Sequence, residues 1–191
     1  MSEPNLILVD GIDGSGKTRF AEHLVAALST GQSRPVLVHV DDYRREVNWA
    51  DPRGEAEVYW RDYFDLAAID RAITRLRSEG RLVVVEGIFT LRLAAAPEAA
   101  LIYLEVTYEE AERRILQRDT AIGRTPDEVR HRTSMRYFPA QRKYRALFRP
   151  VDRAALLIDN SDPATPHIRR ADWASFPPEV APLLATWAPA P

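Results

Sequence analysis

The sequence predicts an α/β fold, a three-layer sandwich with a central five-stranded parallel sheet covered by helices on both faces. Three observations predict it. Short apolar runs alternate with longer segments of helical periodicity, the pattern of βαβ units. The runs are nearly continuous in apolar residues, as strands buried on both faces must be. Four of them end in a carboxylate, at Asp10, Asp41, Glu86 and Asp159. In open α/β sheets ligands bind beyond the carboxyl ends of the strands, so these acids mark a candidate site.

The elements follow in order. Residues 5–10 (NLILVD) read as a buried first strand, and 17–29 as a helix with Phe20, Leu24 and Leu28 at helical spacing. Residues 36–41 (VLVHVD) form a second strand, followed by a polar loop marked by Pro52 and Gly54. Residues 62–78 carry Leu66, Ile69, Ile73 and Leu76 on one helical face, with Gly80 just beyond the end. The third, fourth and fifth strands are 82–86 (LVVVE), 101–106 (LIYLEV) and 155–159 (ALLID). Residues 108–118 make a charged helix, Gly123 interrupts, and Pro126 opens another helix at its first turn. A last helix is expected at 178–187, inside a proline-rich tail over 176–191 that should fray at its end.

The chain has 191 residues, the size of one domain, and 46% hydrophobic with 28% charged residues is a globular composition. No apolar run approaches the roughly 20 residues needed to span a bilayer, and the acidic start does not resemble a signal peptide. A cytoplasmic location without membrane association is expected. There is no cysteine, so disulfides, thiolate metal sites and a cysteine nucleophile are excluded. The net charge of −2 argues against a dedicated nucleic-acid binder. Basic residues comprise 24 arginines but only two lysines, Lys17 and Lys143, so a lysine is a notable choice in this chain.

Residues 11–18, Gly-Ile-Asp-Gly-Ser-Gly-Lys-Thr, match the phosphate-loop (Walker A) pattern G-x-x-x-x-G-K-[ST], with a strand before and a helix after. A glycine-rich turn without a ligand would not need the full pattern in that setting. The backbone amides of Gly11, Asp13, Gly14, Ser15 and Gly16 can surround a phosphate, aided by the helix N-terminus. Lys17 can reach the β- and γ-phosphates of ATP, and the Thr18 hydroxyl can hold Mg²⁺. Glu86 at the end of the third strand is placed to orient Mg²⁺ or its waters. Asp41, at the end of the second, can face the γ-phosphate and deprotonate an acceptor. Either acid would otherwise be a cap or a solvated loop residue. No guanine-reading Asn-Lys-x-Asp segment occurs.

With these pieces in place the sequence resembles the uridine kinase-like group of P-loop kinases, itself related to pantothenate kinases and phosphoribulokinases. The resemblance rests on Gly11–Thr18, Asp41-Asp42-Tyr43-Arg44, Asp62-Tyr-Phe-Asp65, Glu86-Gly87-Ile88-Phe89, Arg113-Arg114-x-x-x-Arg118-Asp119, Arg136-Tyr137 and Ile158-Asp159-Asn160, in family order over most of 5–162. It implies one kinase domain over 1–191 with a lid near 119–135, ATP and Mg²⁺ as cofactors, and a small-molecule phosphoryl acceptor. Asp41 would be the general base, Glu86 the Mg²⁺ partner, and Arg118 and Arg124 the lid arginines on the ATP phosphates. Asn160 joins the nucleotide-binding set. The chain departs from the family's nucleoside kinases in two places. No base-gripping hairpin fits between the helix ending near Ser78 and the strand at Leu82, and Tyr59 stands near the position of their ribose-binding aspartate.

Residues 113–153 hold eleven arginines and one lysine against four acids, whereas 41–65 hold eight acids against four arginines. An arginine-rich lid suits phosphate, because the planar guanidinium binds its oxygens bidentately. Most of these arginines would equally suit a solvated helix face. Arg136 and Arg142 are assigned to the acceptor, and Tyr43, Tyr59, Trp60, Tyr63 and Phe89 either line its pocket or pack in the core. His39, inside a strand, reads as a core histidine. The acceptor is a nucleoside by resemblance, or else a sugar, a pantothenate-like compound or an antibiotic. A non-transferring ATPase switch is the rival from another class. The oligomeric state is left open, a dimer included.

Overall fold

In a computed structural model of the chain, residues 5–29 and 35–186 are described. They form a six-stranded sheet in the order β2-β3-β1-β4-β5-β6. The strands are β1 Leu6–Gly11, β2 Val36–His39, β3 Val83–Gly87, β4 Ala100–Glu105, β5 Leu156–Asp159 and β6 His167–Ala171. The first five are mutually parallel, and β6 lies antiparallel against β5 at one edge. The expected five parallel strands are present and a sixth is added. Its sequence, His-Ile-Arg-Arg-Ala, escapes an apolar-run criterion because it is an edge strand, largely solvent-facing, with only Ile168 and Ala171 packed against the core.

Along the inner strands, alternate residues feed two cores, which is why each run is apolar throughout. Leu6 and Leu8 of β1 and Val83 and Val85 of β3 join one cluster, in which Ile69, Ile73 and Leu76 of helix α3 (Leu66–Ser78) are buried. Ile7, Val9 and Val84 join the other, with Ala21, Leu24 and Leu28 of α1 (Lys17–Leu28). Each large aliphatic side chain so buried contributes about 1.5–3 kcal/mol. Phe176, Val180 and Leu184 complete this second layer through α8 (Val180–Thr186), so the expected last helix packs into the core up to Leu184. Residue 187 of the expected helix, and 187–191 of the tail, lie outside the described residues.

Three further boundaries differ from expectation. The second strand stops at His39, where its partner β3 also nears its end, and Val40–Tyr43 coil into a 3-10 turn. Asp41 therefore sits on that turn rather than on a strand. The predicted helix 62–78 starts at Leu66, because the Asp65 side chain caps it by accepting from the Ala68 amide at 2.9 Å. The polar loop ahead of it holds an unexpected short helix, α2 (Glu55–Arg61), with Glu55 and Glu57 in its first turn.

After β4, α4 (Tyr108–Ala121) is capped by Thr107. Next comes α5 (Pro126–Arg132), with Pro126 at its start as expected and a full capping box from Thr125 and Glu128. A π-helical turn, Thr133–Tyr137, leads into α6 (Phe138–Phe148), and α7 (Pro150–Arg153) returns the chain to β5. Of these, α6 reaches the phosphate loop at the C-terminal end of β1, through Tyr144 on Asp10 and Gln141 on Asp13.

Candidate active site

The loop between β1 and α1 is built as a phosphate cradle. Gly16 takes φ +88°, and a Cβ there would come 2.7 Å from the Asn160 side-chain amide, which donates to the Ser15 carbonyl at 2.7 Å. Only glycine meets both demands. Asn160 thus clamps the loop from the end of β5. The Ser15 hydroxyl is buried with no partner. Lys17 folds back over the loop, its Nζ 3.4 Å from the Ile12 carbonyl and 3.7 Å from Asp13. Beneath, buried Asp10 accepts from Thr90 Oγ1 at 2.6 Å, Tyr144 OH at 2.5 Å and the Gly11 amide at 2.6 Å. Burial pushes its carboxyl above the usual range despite these bonds, and Tyr144 ties α6 to the root of the loop.

Asp13 does more than lend its amide. Its carboxylate accepts from Tyr59 OH at 3.2 Å and from Gln141 Nε2 at 2.8 Å, joining the loop to α2 and α6. Gln141 is fully buried, yet a glutamine inside an amphipathic helix carries no signal in the sequence. Tyr59 itself is buried, and burial together with the Asp13 charge holds its phenol well above the ordinary value.

Thr18 and Glu86 are equally well placed. The Thr18 hydroxyl donates to Glu86 Oε2 at 3.2 Å, and the Glu86 side chain is 4% exposed. Hard oxygen donors of this kind suit Mg²⁺, which is commonly held by one or two protein groups together with phosphates and waters. Thr18 and Glu86 are the pair that would hold it. Gly87, the next residue, packs so closely on Val40 that any Cβ would overlap it. That contact seats the turn bearing Asp41 beside Glu86.

Asp41 is exposed, at 58%, and pairs with Arg44. It lines a cleft of about 260 Å³ together with Asp13, Arg44, Tyr59, Tyr63, Arg118, Asp119, Arg124, Arg132 and Tyr137. The structure thus brings Asp41, Arg118 and Arg124 to one cavity beside the phosphate loop's Asp13. Both arginines are held by Asp119, which is 1% exposed: Arg118 at 2.7 Å and Arg124 on the other oxygen. Burial raises the Asp119 carboxyl, but the bonds and charges of Arg118 and Arg124 prevail and hold it below the usual range. Tyr63 belongs to the aromatic set read from the sequence; Arg44, Arg132 and Tyr137 lie outside the sequence-based set. Arg132 had nothing to distinguish it from its arginine neighbours.

The remaining assignments lie elsewhere. Trp60 and Phe89 are core residues, packed at 5.1 Å on each other and on Tyr144. Tyr43 packs half-buried against the same cluster. Arg136 lies over Trp49 at 3.3 Å and is bonded to Glu55 at 2.7 Å, and Arg142 lies over Tyr108 at 4.5 Å; neither lines the cleft. On the other side of the loop, Gly16, Arg19, Phe20, His23, Asn160 and Pro163 rim a second, largely apolar cavity of about 360 Å³. Among the described residues no cluster of three or more acidic or histidine side chains forms a metal cage, and no helix is long and apolar enough to cross a membrane.

No protein-family model matches the chain, and no curated protein matches it. Among solved structures, a "putative fructose transport system kinase" from Silicibacter sp. TM1040 superposes with a TM-score of 0.59 and 21% identity, over 76% of this chain and 86% of that one. A "possible uridine kinase" from Bacillus stearothermophilus gives a TM-score of 0.59 and 17% identity, over 82% and 89%. At these identities the likeness is one of fold. The chain has the α/β fold of these two proteins, with a mostly parallel central sheet, in keeping with the resemblance carried by its motifs.

Proposed function

We propose that the protein is an ATP-dependent kinase that transfers the γ-phosphoryl group to a hydroxyl of a small molecule. The observation that carries this reading is the convergence of Asp41, Asp13, Arg118 and Arg124 on one cleft beside a complete phosphate loop. In this reading the loop amides and Lys17 bind the β- and γ-phosphates. The apolar cavity beyond Gly16 and Asn160 takes the base of the nucleotide. Mg²⁺, when bound, neutralises phosphate charge between Thr18 and Glu86. Arg118 and Arg124 move from Asp119 toward the transferring group and stabilise the charge that develops on it. Asp41 accepts the proton of the attacking hydroxyl as the O–P bond forms and ADP leaves. Asp13, fixed by Tyr59 and Gln141, presents a second carboxylate to the acceptor side of the cleft.

The resemblance favours a nucleoside or nucleoside-like acceptor. One observation favours a smaller alcohol, such as a sugar, instead: only residues 79–82 join α3 to β3, so nothing there extends over the cleft to grip a base. A screen with ATP and Mg²⁺ over nucleosides, sugars, vitamin precursors and alcohol-bearing antibiotics tests the proposal. A phosphorylated acceptor formed in step with ADP is the expected result. ATP hydrolysis with no acceptor among these classes would favour a nucleotide-driven switch, and no ATP binding would dismiss both.

A further inference from the structure

His39 is the last residue of β2, and its partner in the parallel register is Glu86. The pairing sets both side chains on the same face of the sheet, with His39 Nδ1 2.7 Å from Glu86 Oε1. An ionised carboxylate only accepts, so Nδ1 carries the proton and donates it. The other carboxylate oxygen, Oε2, takes the Thr18 hydroxyl. Glu86 is thus gripped at both oxygens, one by the phosphate loop and one by an imidazole on the neighbouring strand. The terminal torsion of a glutamate is intrinsically broad, so without His39 only the longer Thr18 contact at 3.2 Å would hold the carboxylate about it. Packing does not call for a histidine here: the side chain is 31% exposed at a sheet edge, where a β-branched residue would serve a strand better.

We propose that His39 is a positioning residue for the divalent-cation site. By donating from Nδ1 it fixes the Glu86 carboxylate with Oε2 turned toward Thr18, the pair that would hold Mg²⁺ or its waters beside the triphosphate. The inference rests on the kinase reading above only in requiring that the loop binds ATP. Outer groups that orient a metal-binding side chain typically change metal affinity by about 10–100-fold when removed.

The test is ATP binding by calorimetry, in EDTA and in excess Mg²⁺, so that neither the acceptor nor Asp41 takes part. For His39→Ala the affinity in EDTA should match wild type, while the gain on adding Mg²⁺ falls by about 10–100-fold. His39→Asn places an amide nitrogen where Nδ1 stood and should recover most of that gain. Should His39→Ala not fold, His39→Gln takes its place: its amide lies one bond too far out, and the gain should again fall. In a Glu86→Gln background, His39→Ala should add nothing further, as two residues acting through one contact do. The proposal is overturned if His39→Ala keeps the full Mg²⁺ gain, if it weakens binding equally in EDTA, or if His39→Asn behaves like His39→Ala. A wild-type protein that binds ATP equally with and without Mg²⁺ would overturn this inference alone. A wild-type protein that binds no ATP would overturn the kinase reading itself.

Discussion

Lys17→Ala removes a charge-assisted contact to the triphosphate, worth about 1.5–3 kcal/mol in a ground state and more where charge develops. Turnover should fall at least about a hundredfold, while the melting temperature stays near wild type, since Lys17 makes only two weak contacts within its own loop. Wild-type turnover in the variant would refute the loop's role. Asp41→Asn keeps size and polarity but cannot accept a proton, so transfer should drop by about 10²–10⁴-fold with ATP affinity little changed. A parallel loss of ATP affinity would make Asp41 a metal-site residue instead. Both residues were legible in the sequence, Lys17 from a complete motif and Asp41 from its place after an apolar run. His39 and Asp13 were legible only in part. A strand position reveals nothing of the residue across from it, and a motif names the amide of Asp13 without saying where its carboxylate points.

Helix α4 ends by presenting Asp119 to Arg118 and Arg124, and this buried carboxylate holds both arginines. Its carboxyl is held below the ordinary range, so the folded state binds its proton less readily than the unfolded chain does. The stabilisation is therefore fully present above the ordinary carboxylate value of about 3.9, and is lost as the pH falls through the lower folded value. Both arginines are partly solvated, which limits the effect to about 1–2 kcal/mol. Wild type should melt above Asp119→Asn at pH 7, with the gap closing below about pH 4. A gap that is constant with pH would show that the charge contributes nothing. At this scale the five parallel strands were legible from their apolar runs, α1 and α3 from helical periodicity, and α5 from Pro126 at its start. Helix α2 was hidden by Pro52 and Gly54 just ahead of it, and β6 by its polarity. The π-helical turn before α6 keeps ordinary helical composition, so the extra residue in its turn leaves no trace in the pattern.

For the molecule as a whole, the short connection from α3 to β3 predicts a poor fit to pyrimidine nucleosides. The value of kcat/KM for uridine should fall well below the roughly 10⁵ M⁻¹s⁻¹ common for an enzyme on its own substrate. A value at that level would show that the rest of the cleft grips the base unaided. The acidic 41–65 segment and the arginine-rich 113–153 segment were legible as opposed patches, but their mutual contact depends on the fold. Glu55 binds Arg136 and His131, and Glu57 binds Lys143, so α2 is clasped directly against the α5–α6 limb. The parts of this clasp differ in their access to ions. Arg136 is 11% exposed, whereas Lys143 and His131 are open to solvent. Electrolyte screens the outer contacts, since the Debye length shrinks to about 3 Å at 1 M, but it scarcely reaches the inner one. Added salt should therefore slacken the jaw without unlocking it. Probes on α2 and α6 should report a modest widening that levels off with ionic strength in the wild type, and continued opening once Arg136 is replaced by methionine.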